Sequence, residues 1–279
     1  MEETPANQPA YALLDSGGGR VLEQLGNIIA ARPCPPAWWR RRLPGADWKK
    51  AVDLKREVKE PLRITLGSTH FHLLPAAGGI RALAPELREA WALAADGCAK
   101  FAEKQRVPAR VLNLFGGVGG MTLAASRVGA AVTHVDASAD AIKRARDNAA
   151  INTLANRDIR WVVDDPVKFA QRERTQSTRY DLIVIDPQTP RDAKRGGFEP
   201  ERGLAPLLAA VSGLLSDKAL GVLLFCRQGA VSPTTLGHLM AQEFGVFGGR
   251  VEHGELLLRG GEGVPAAPAG AYAHWLKNL

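Results

Sequence analysis

The stretch VLNLFGGVGGMTLAA, residues 111–125, decides the fold. It is a short apolar run, followed by a glycine-rich turn and then by small and apolar residues that favour a helix. Glycines in such a turn permit positive φ and a close approach of the backbone to a ligand; they are Gly116, Gly117, Gly119 and Gly120. The order strand, glycine turn, helix predicts the first unit of a parallel sheet with a ligand site at the turn.

Short apolar runs alternate with helical patterns downstream of this unit, which is typical of a parallel sheet. We predict strands over residues 110–114, 131–135, 159–163, 182–185 and 221–225, with helices between them. The stretch GGRVEHGELLLRG, residues 248–260, predicts an antiparallel hairpin that turns at His253 and Gly254. The predicted fold class is α/β, with a Rossmann-like sheet that is mostly parallel and ends in this hairpin.

The first hundred residues have a different pattern. YALLDSGGGRVLEQLG, residues 11–26, and PLRITLGSTHFHLLP, residues 61–75, each read as strand, turn and strand. They predict a small antiparallel β-rich module, joined to the parallel sheet by a helix near residues 83–104. We therefore expect a module over 1–82, an α/β domain over 83–262 and a tail over 263–279.

Composition excludes some classes of protein and favours others. The chain of 279 residues is 46% hydrophobic and has a net charge of +7, which favours a polyanionic partner without requiring one. The cysteines lack C-x-x-C spacing, and His70 and His72 have no third ligand in view, so neither a disulfide framework nor a metal site is expected. With no signal peptide or membrane span visible, we expect a cytoplasmic protein without membrane contact.

Acidic residues follow the second and third predicted strands. Asp136, nineteen residues beyond Gly117, can accept hydrogen bonds from both hydroxyls of a ribose. Asp164 and Asp165 can accept bonds from the amino group of an adenine. A dinucleotide fingerprint needs its third glycine where Thr122 stands, and no GK[ST] is present for a P-loop. The predicted ligand therefore contains adenosine, but the loop need not bind phosphate.

The motifs LNLFGGVGG, VDAS, DD and VIDP, in this order and spacing, resemble those of the class I S-adenosylmethionine-dependent methyltransferases over residues 100–260. YALLDSGGGRVLEQLG and GGRVEHGEL further resemble a bacterial group that modifies cytosine C5 or guanine N7 of ribosomal RNA, here without the group's RNA-binding PUA domain. The resemblance implies S-adenosylmethionine as cofactor, RNA, in particular ribosomal RNA, as partner, and methylation of an RNA base as activity.

The same resemblance assigns the cofactor site residue by residue. It places the methionine part at Asn113, Phe115, Gly117 and Gly119, the ribose at Asp136 and the adenine at Asp165. We expect the adjoining Gly116, Ala137 and Asp164 to bind the cofactor as well.

The stretch YDLIVIDPQTP, residues 180–190, ends its buried strand on Asp186. A carboxylate there is costly unless it is paired, solvated or used. By resemblance, Asp186, Pro187 and Gln188 form a rigid turn that faces a flipped-out base, although Gln188 stands where the family has a second proline. Alternatively, Asp186 caps the loop that follows it.

Cys226 is the candidate nucleophile. Methylation of cytosine at C5 requires an attack on C6, usually by a cysteine, and Arg227 is expected to lower the pKa of this thiol. A buried, inert cysteine is the alternative, because methylation of a nitrogen needs no nucleophile.

The run PAWWRRRLPGADWKK, residues 36–50, either binds RNA or packs the small module. Three classes of function stay open: an RNA methyltransferase, a non-catalytic RNA-binding or assembly factor with the same fold, and a nicotinamide-dependent oxidoreductase. Thr122 at the third glycine position disfavours the last of these.

Overall fold

The computed structural model describes residues 10–52, 58, 60–73, 83–187, 198–227, 231–277 and 279. These residues form two compact units. The first comprises the chain up to Arg88 together with Leu257–Ala269, and the second comprises Glu89–Leu256 and Gly270–Leu279. A segment near the carboxyl end of the sequence therefore belongs to the amino-terminal unit.

The first unit contains antiparallel sheets, as the sequence predicts. A three-stranded sheet has the order β1-β2-β3, with β1 at Tyr11–Gly17, β2 at Arg20–Leu25 and β3 at Ile28–Pro33. A short helix α1, Gly45–Trp48, precedes a hairpin of β4, Leu62–Leu66, and β5, Thr69–Leu73.

The core of the first unit draws on both ends of the sequence. Leu13 and Val21 pack with Cys34 and Ala37, and also with Leu258 and Ala267. The hydroxyl of Ser16 donates a hydrogen bond to the carbonyl of Pro265 at 2.7 Å. Residues that are about 250 positions apart thus complete one hydrophobic core.

The second unit alternates helices and strands in the predicted order. Its helices are α2 at Arg88–Gln105, α3 at Gly120–Arg127, α4 at Ala139–Ile151, α5 at Pro166–Glu173, α6 at Pro200–Ser212 and α7 at Pro233–Phe244. Its strands are β6 at Arg110–Leu114, β7 at Ala131–Asp136, β8 at Ile159–Val163, β9 at Leu182–Ile185, β10 at Gly221–Arg227, β11 at Arg250–Leu258 and β12 at Ala267–Leu276.

The described strands of this unit form a seven-stranded sheet of order β11-β12-β10-β9-β6-β7-β8. The five strands β6 to β10 are parallel, and β12 runs antiparallel to β10. The chain order reverses between β6 and β9, so the carboxyl ends of these two strands flank the switch point where ligands bind in open α/β sheets. The predicted fold class is confirmed, and the structure places β9 beside β6.

The predicted turn at His253 and Gly254 is wrong. Both residues lie inside β11, and the chain turns only after Leu258. A Cβ on Gly254 would lie 3.0 Å from the ring of Tyr272. This glycine therefore marks a close approach of a side chain to a strand, which produces the same sequence signal as a turn.

Asp181, which precedes β9, joins the starts of neighbouring strands. Its carboxylate accepts hydrogen bonds from the Arg110 amide at 2.8 Å and from the Ser216 hydroxyl at 2.6 Å, and its carbonyl accepts from the Leu220 amide at 2.6 Å. The side chain is buried, so these bonds form in a poorly solvated environment. Asp181 therefore fixes β9 between β6 and β10.

Within the described ranges, no helix is long and apolar enough to cross a membrane.

We expect Asp181→Ala to lower the free energy of unfolding by about 2 kcal/mol, because the Arg110 amide and the Ser216 hydroxyl would lose the carboxylate that accepts both of their hydrogen bonds. Urea unfolding followed by circular dichroism measures this change. Asp96→Ala, which breaks only the exposed ion pair of Asp96 with Lys100, should change the free energy by less than about 0.5 kcal/mol. Equal effects of the two substitutions would contradict the role of Asp181.

Candidate functional site

The glycine loop, residues 115–119, connects β6 to α3 and is bonded to the end of β7. The Gly116 amide donates to the Val135 carbonyl at 3.0 Å. The Gly117 amide donates to Oδ2 of Asp136 at 2.9 Å, and the Ser138 amide donates to Oδ1 at 2.9 Å. Each carboxylate oxygen keeps a second lone pair, so Asp136 can still accept two hydroxyl groups.

Gly116 has no room for a side chain. A Cβ at this position would lie 2.4 Å from Cε1 of His134, which packs directly behind the loop. Phe115 adopts a positive φ of 59°, a strained conformation for a bulky residue that costs about 1–3 kcal/mol and occurs mainly at functional sites. Its ring contacts that of Phe198, with 5.1 Å between centroids. The backbone of the loop is thus fixed from both sides.

A buried chain of hydrogen bonds lies behind the loop. The Asn113 side-chain amide donates to the Thr122 hydroxyl at 2.9 Å, and this hydroxyl lies 2.8 Å from Nδ1 of His134. Burial lowers the pKa of His134 to about 3, so its ring is neutral. The Thr122 hydroxyl thus links the Asn113 amide to the His134 ring. Among the described residues, Nε2 has no hydrogen-bond partner.

Helix α4 holds the second half of the glycine loop. The side chain of Asn148 is buried and donates to the Val118 carbonyl at 3.0 Å. Ala145 lies beside Gly119, whose Cβ would be 3.2 Å from that of Ala145. Ser138 caps the helix by accepting a bond from the Ala141 amide.

Sequence reasoning missed Asn148, Thr122 and His134 as supports of the loop. Each is a polar residue at a position where the local pattern favours an apolar one. A single exception of this kind is only a weak signal of a functional role. For Asn113, the structure places the side chain behind the loop, against Thr122, where it supports the backbone.

The acids that follow β8 already have protein partners. The Asp164 amide donates to the Asp136 carbonyl at 3.1 Å, which brings the two strand ends together. The Asp164 carboxylate pairs with Arg172, and this hydrogen bond lowers its pKa. Asp165 caps α5 by accepting bonds from the amides of Val167 and Lys168. Their predicted contact with adenine stays a prediction.

Asp136 is the most buried of these acids, and Ala137 beside it is exposed. Burial raises the pKa of Asp136, although the amides of Ser138 and Gly117 and the charge of Arg144 partly oppose this shift. A carboxylate that is already poorly solvated forms strong bonds to hydroxyl donors, since it has little hydration left to lose.

Asp186 lies at the carboxyl end of β9 and is paired. Its amide donates to the Leu114 carbonyl at 3.3 Å, which extends the pairing of β9 with β6. Its Oδ1 accepts a bond from Nε of Arg227 at 2.8 Å, and the two side chains are only 14% and 4% exposed. Pro187 is buried next to it. Gln188 lies outside the described residues.

Cys226 is in a different environment from the one that the sequence predicts. Its side chain is 4% exposed and packs in the core with Leu236 and Met240. Burial, and then the negative charges of Asp186 and Glu201, raise the pKa of this thiol to about 12. Arg227 engages Asp186 instead of activating the thiol. A nucleophilic role for Cys226 stays a prediction that this environment disfavours.

Solved structures share this architecture over nearly the whole chain. A S-adenosylmethionine-dependent methyltransferase from Agrobacterium tumefaciens is 30% identical and superposes with a TM-score of 0.86, over 96% of this chain and 91% of that one. A structure from Streptococcus mutans, described as a methyltransferase of the same kind, is 15% identical with a TM-score of 0.70, over 98% of this chain and 76% of that one, and shows the same fold.

The sheet order, the glycine loop and the acid at the end of β7 thus define a class I methyltransferase fold. The chain belongs to the S-adenosylmethionine-dependent methyltransferases.

Other comparisons match the central part of the sequence. Residues 99–192 match the family model described as Conserved hypothetical protein 95. Ribosomal RNA large subunit methyltransferase K/L of Shewanella baltica is 39% identical over 110 residues, or 38% of this chain. Ribosomal RNA large subunit methyltransferase I of Klebsiella pneumoniae is 40% identical over 79 residues, or 28% of this chain. The chain spans only 15% and 20%, respectively, of the length of these two relatives.

We expect stability to fall with decreasing pH in part because of His134. Between its unfolded-state pKa of about 6.5 and its folded-state value of about 3, only the unfolded chain takes up the proton. Each pH unit in this window therefore costs up to about 1.4 kcal/mol. Above the unfolded-state pKa of His134 this loss of stability is absent, and below the folded-state pKa it no longer increases.

Urea unfolding of the wild type and His134→Gln at several pH values between 6 and 4 tests this. The variant should lose less stability per pH unit. The matched control His238→Gln, at an exposed position of α7, should keep the slope of the wild type. Identical slopes in all three proteins would show that His134 is not held neutral.

Proposed function

We propose that this protein transfers a methyl group from S-adenosylmethionine to a base in ribosomal RNA. The observation that carries the proposal is the juxtaposition of Asp136 and Asp186 on one edge of the sheet. The first is bonded to the glycine loop, and the second is bonded to the end of β6 on the other side of that loop. The names of the curated relatives support ribosomal RNA as the substrate.

The chemical groups of the site fit S-adenosylmethionine. Asp136 offers two carboxylate oxygens with free lone pairs to the ribose hydroxyls. The glycine loop offers backbone without side chains to the methionine part, in a cradle that any Cβ at Gly116 would fill. Asp164 and Asp165 follow the neighbouring strand, where an adenine would lie. Bound cofactor supplies an electrophilic methyl group on a sulfonium.

On the substrate side, Asp186 orients the base and accepts the proton that the methylated nitrogen loses. Arg227 holds this carboxylate in one direction through a charge-assisted hydrogen bond. The buried Pro187 fixes the turn, and Gln188 is placed by the sequence to meet the base. This arrangement needs positioning and a proton acceptor, and no covalent step.

The target atom that we propose is a nitrogen of the base. Carbon methylation requires a thiolate, and a cysteine whose pKa is about 12 is almost wholly protonated at neutral pH. A nitrogen carries its own lone pair and needs no such activation. The proposal thus assigns Cys226 to the hydrophobic core.

A non-catalytic RNA-binding or assembly factor is the second candidate. The observation in its favour is the ion pair of Asp186 with Arg227, which occupies one carboxylate oxygen at the point where the substrate would bind. Such a protein would bind the cofactor and RNA but would transfer no methyl group.

We also propose a cytoplasmic location. Cys34, Cys98 and Cys226 are free thiols in the structure, which is typical of proteins in a reducing compartment.

The activity can be measured as transfer of a labelled methyl group to ribosomal RNA from cells that lack the gene, with mass spectrometry of the nucleosides. The wild type should yield one methylated nucleoside. Asp186→Asn should lower kcat by about a hundredfold or more, because the proton acceptor is lost. Asp136→Asn should weaken binding of S-adenosylhomocysteine, measured by calorimetry, by about ten- to a hundredfold.

Asp147→Asn, the same change at an exposed position of α4, should alter neither quantity. Cofactor binding without transfer to any RNA would establish the non-catalytic factor instead.

Cys226→Ala separates the two target atoms. If the acceptor is a nitrogen, we expect kcat within about threefold of the wild type, the small loss reflecting the shortened core side chain. Loss of all activity, in a variant that unfolds at the same urea concentration as the wild type, would show that Cys226 acts as the nucleophile.

A further inference from the structure

Three tryptophans lie close together in the sequence of the first unit, and the structure gives them different roles. Trp39 donates its indole proton to the carbonyl and the hydroxyl of Ser16, at 2.9 and 3.1 Å. Trp48 is buried and donates to Oδ2 of Asp15 at 3.1 Å. Trp38, which directly precedes Trp39 in the sequence, is 86% exposed. Two of the rings therefore serve packing, and the third does not.

The tryptophan loop, which we define as residues 37–43, is held rigidly. The buried carboxylate of Asp15 accepts bonds from the backbone amides of Arg42 and Leu43 at 3.3 and 2.8 Å. The amide of Gly18 donates to the Trp39 carbonyl at 2.8 Å, and that of Gly19 donates to the Ala37 carbonyl at 2.7 Å. These bonds tie both ends of the loop to β1 and to the turn that follows it.

A side chain at Gly17 would collide with this loop. Its Cβ would lie 2.8 Å from the backbone nitrogen of Arg41 and from the carbonyl oxygen of Trp39, and its φ is +144°. The close contact explains the glycine at residue 17, and the positive φ of Gly18 and Gly19 explains the two glycines that follow it. The fold thus presents Trp38 on a fixed backbone.

Basic side chains follow Trp38 closely in the sequence. Residues 38–50 contain five basic side chains, Arg40, Arg41, Arg42, Lys49 and Lys50, and all five are exposed. The one acid of this stretch, Asp47, pairs with Lys50. The guanidinium of Arg41 lies over the Trp48 ring at 4.1 Å, so its position is also fixed. The basic side chains of this surface can bind a polyanion, and the exposed ring of Trp38 can stack on a flat apolar group of the same partner.

We propose that the tryptophan loop binds a single-stranded segment of RNA, with one base stacked on Trp38 and the adjoining phosphates at Arg40 and Lys49. An unstacked base offers the ring a face of matching size, whereas a duplex keeps its base faces covered. This inference deepens the proposed function, on which it rests for the identity of the polyanion, and it assigns RNA recognition to the first unit.

Fluorescence anisotropy with a labelled single-stranded oligoribonucleotide and its duplex tests the proposal on the full chain at 150 mM salt. Trp38→Ala should weaken binding of the single strand by about ten- to a hundredfold, and Trp38→Phe should retain most of the affinity. Arg40→Ala should weaken binding severalfold and reduce the dependence of log Kd on log salt by about one unit.

Two matched controls address exposure and charge. Val246→Ala removes an apolar side chain that is 84% exposed, and Lys100→Ala removes an exposed cation of α2; neither should change the affinity more than twofold. Since Trp38 contacts solvent, all variants should unfold at the same urea concentration and bind S-adenosylhomocysteine like the wild type.

Unchanged RNA affinity of Trp38→Ala, or equal loss for the single strand and the duplex, would overturn the proposal. The assay requires no methyl transfer, so it can succeed where the activity fails. A Trp38→Ala variant that methylates ribosomal RNA with unaltered KM would refute this surface and leave the proposed activity standing.

Discussion

The hydrogen bond from the Gly117 amide to Asp136 joins the ends of two parallel strands into one ligand-binding edge. It depends on the absence of a side chain at Gly116, where the His134 ring occupies the space of a Cβ. The ring is held in turn by Thr122 and Asn113. Asn113, Thr122 and His134 are buried and uncharged, so the charge of this network lies on Asp136, at the edge of the sheet where a ligand can bind.

The second acid of the edge is controlled in a different way. Asp136 is held by backbone amides, which carry no net charge, whereas Asp186 is held by the guanidinium of Arg227. Amides leave the carboxylate fully negative towards a hydroxyl donor. A buried cation compensates the charge and fixes the direction of the remaining oxygen. The two acids are therefore suited to different tasks, one to binding and the other to orienting a reacting group.

Much of this architecture follows from local sequence patterns. The strands at Arg110–Leu114, Ile159–Val163 and Leu182–Ile185 have the predicted bounds, since buried parallel strands are short apolar runs that end where the chain meets solvent. The glycine loop and the acids at strand ends are equally local. The pairing of Arg227 with Asp186 was not predictable, because it joins residues 41 positions apart through the register of two strands. The turn at Gly254 was wrongly predicted for the same reason, because the glycine makes room for the ring of Tyr272, which is distant in the sequence.

The core of the first unit includes Leu258 and Ala267, which are synthesised after the strands β6 to β10 of the second unit. Synthesis proceeds from the amino terminus, and contacts of high sequence separation form slowly. During translation, β1 and β2 are therefore synthesised well before the last residues of their core. At the time when those residues are added, the parallel strands of the second unit are already complete. The first unit begins earlier in the chain than the second, but it completes its core later, after the parallel strands β6 to β10 have been synthesised.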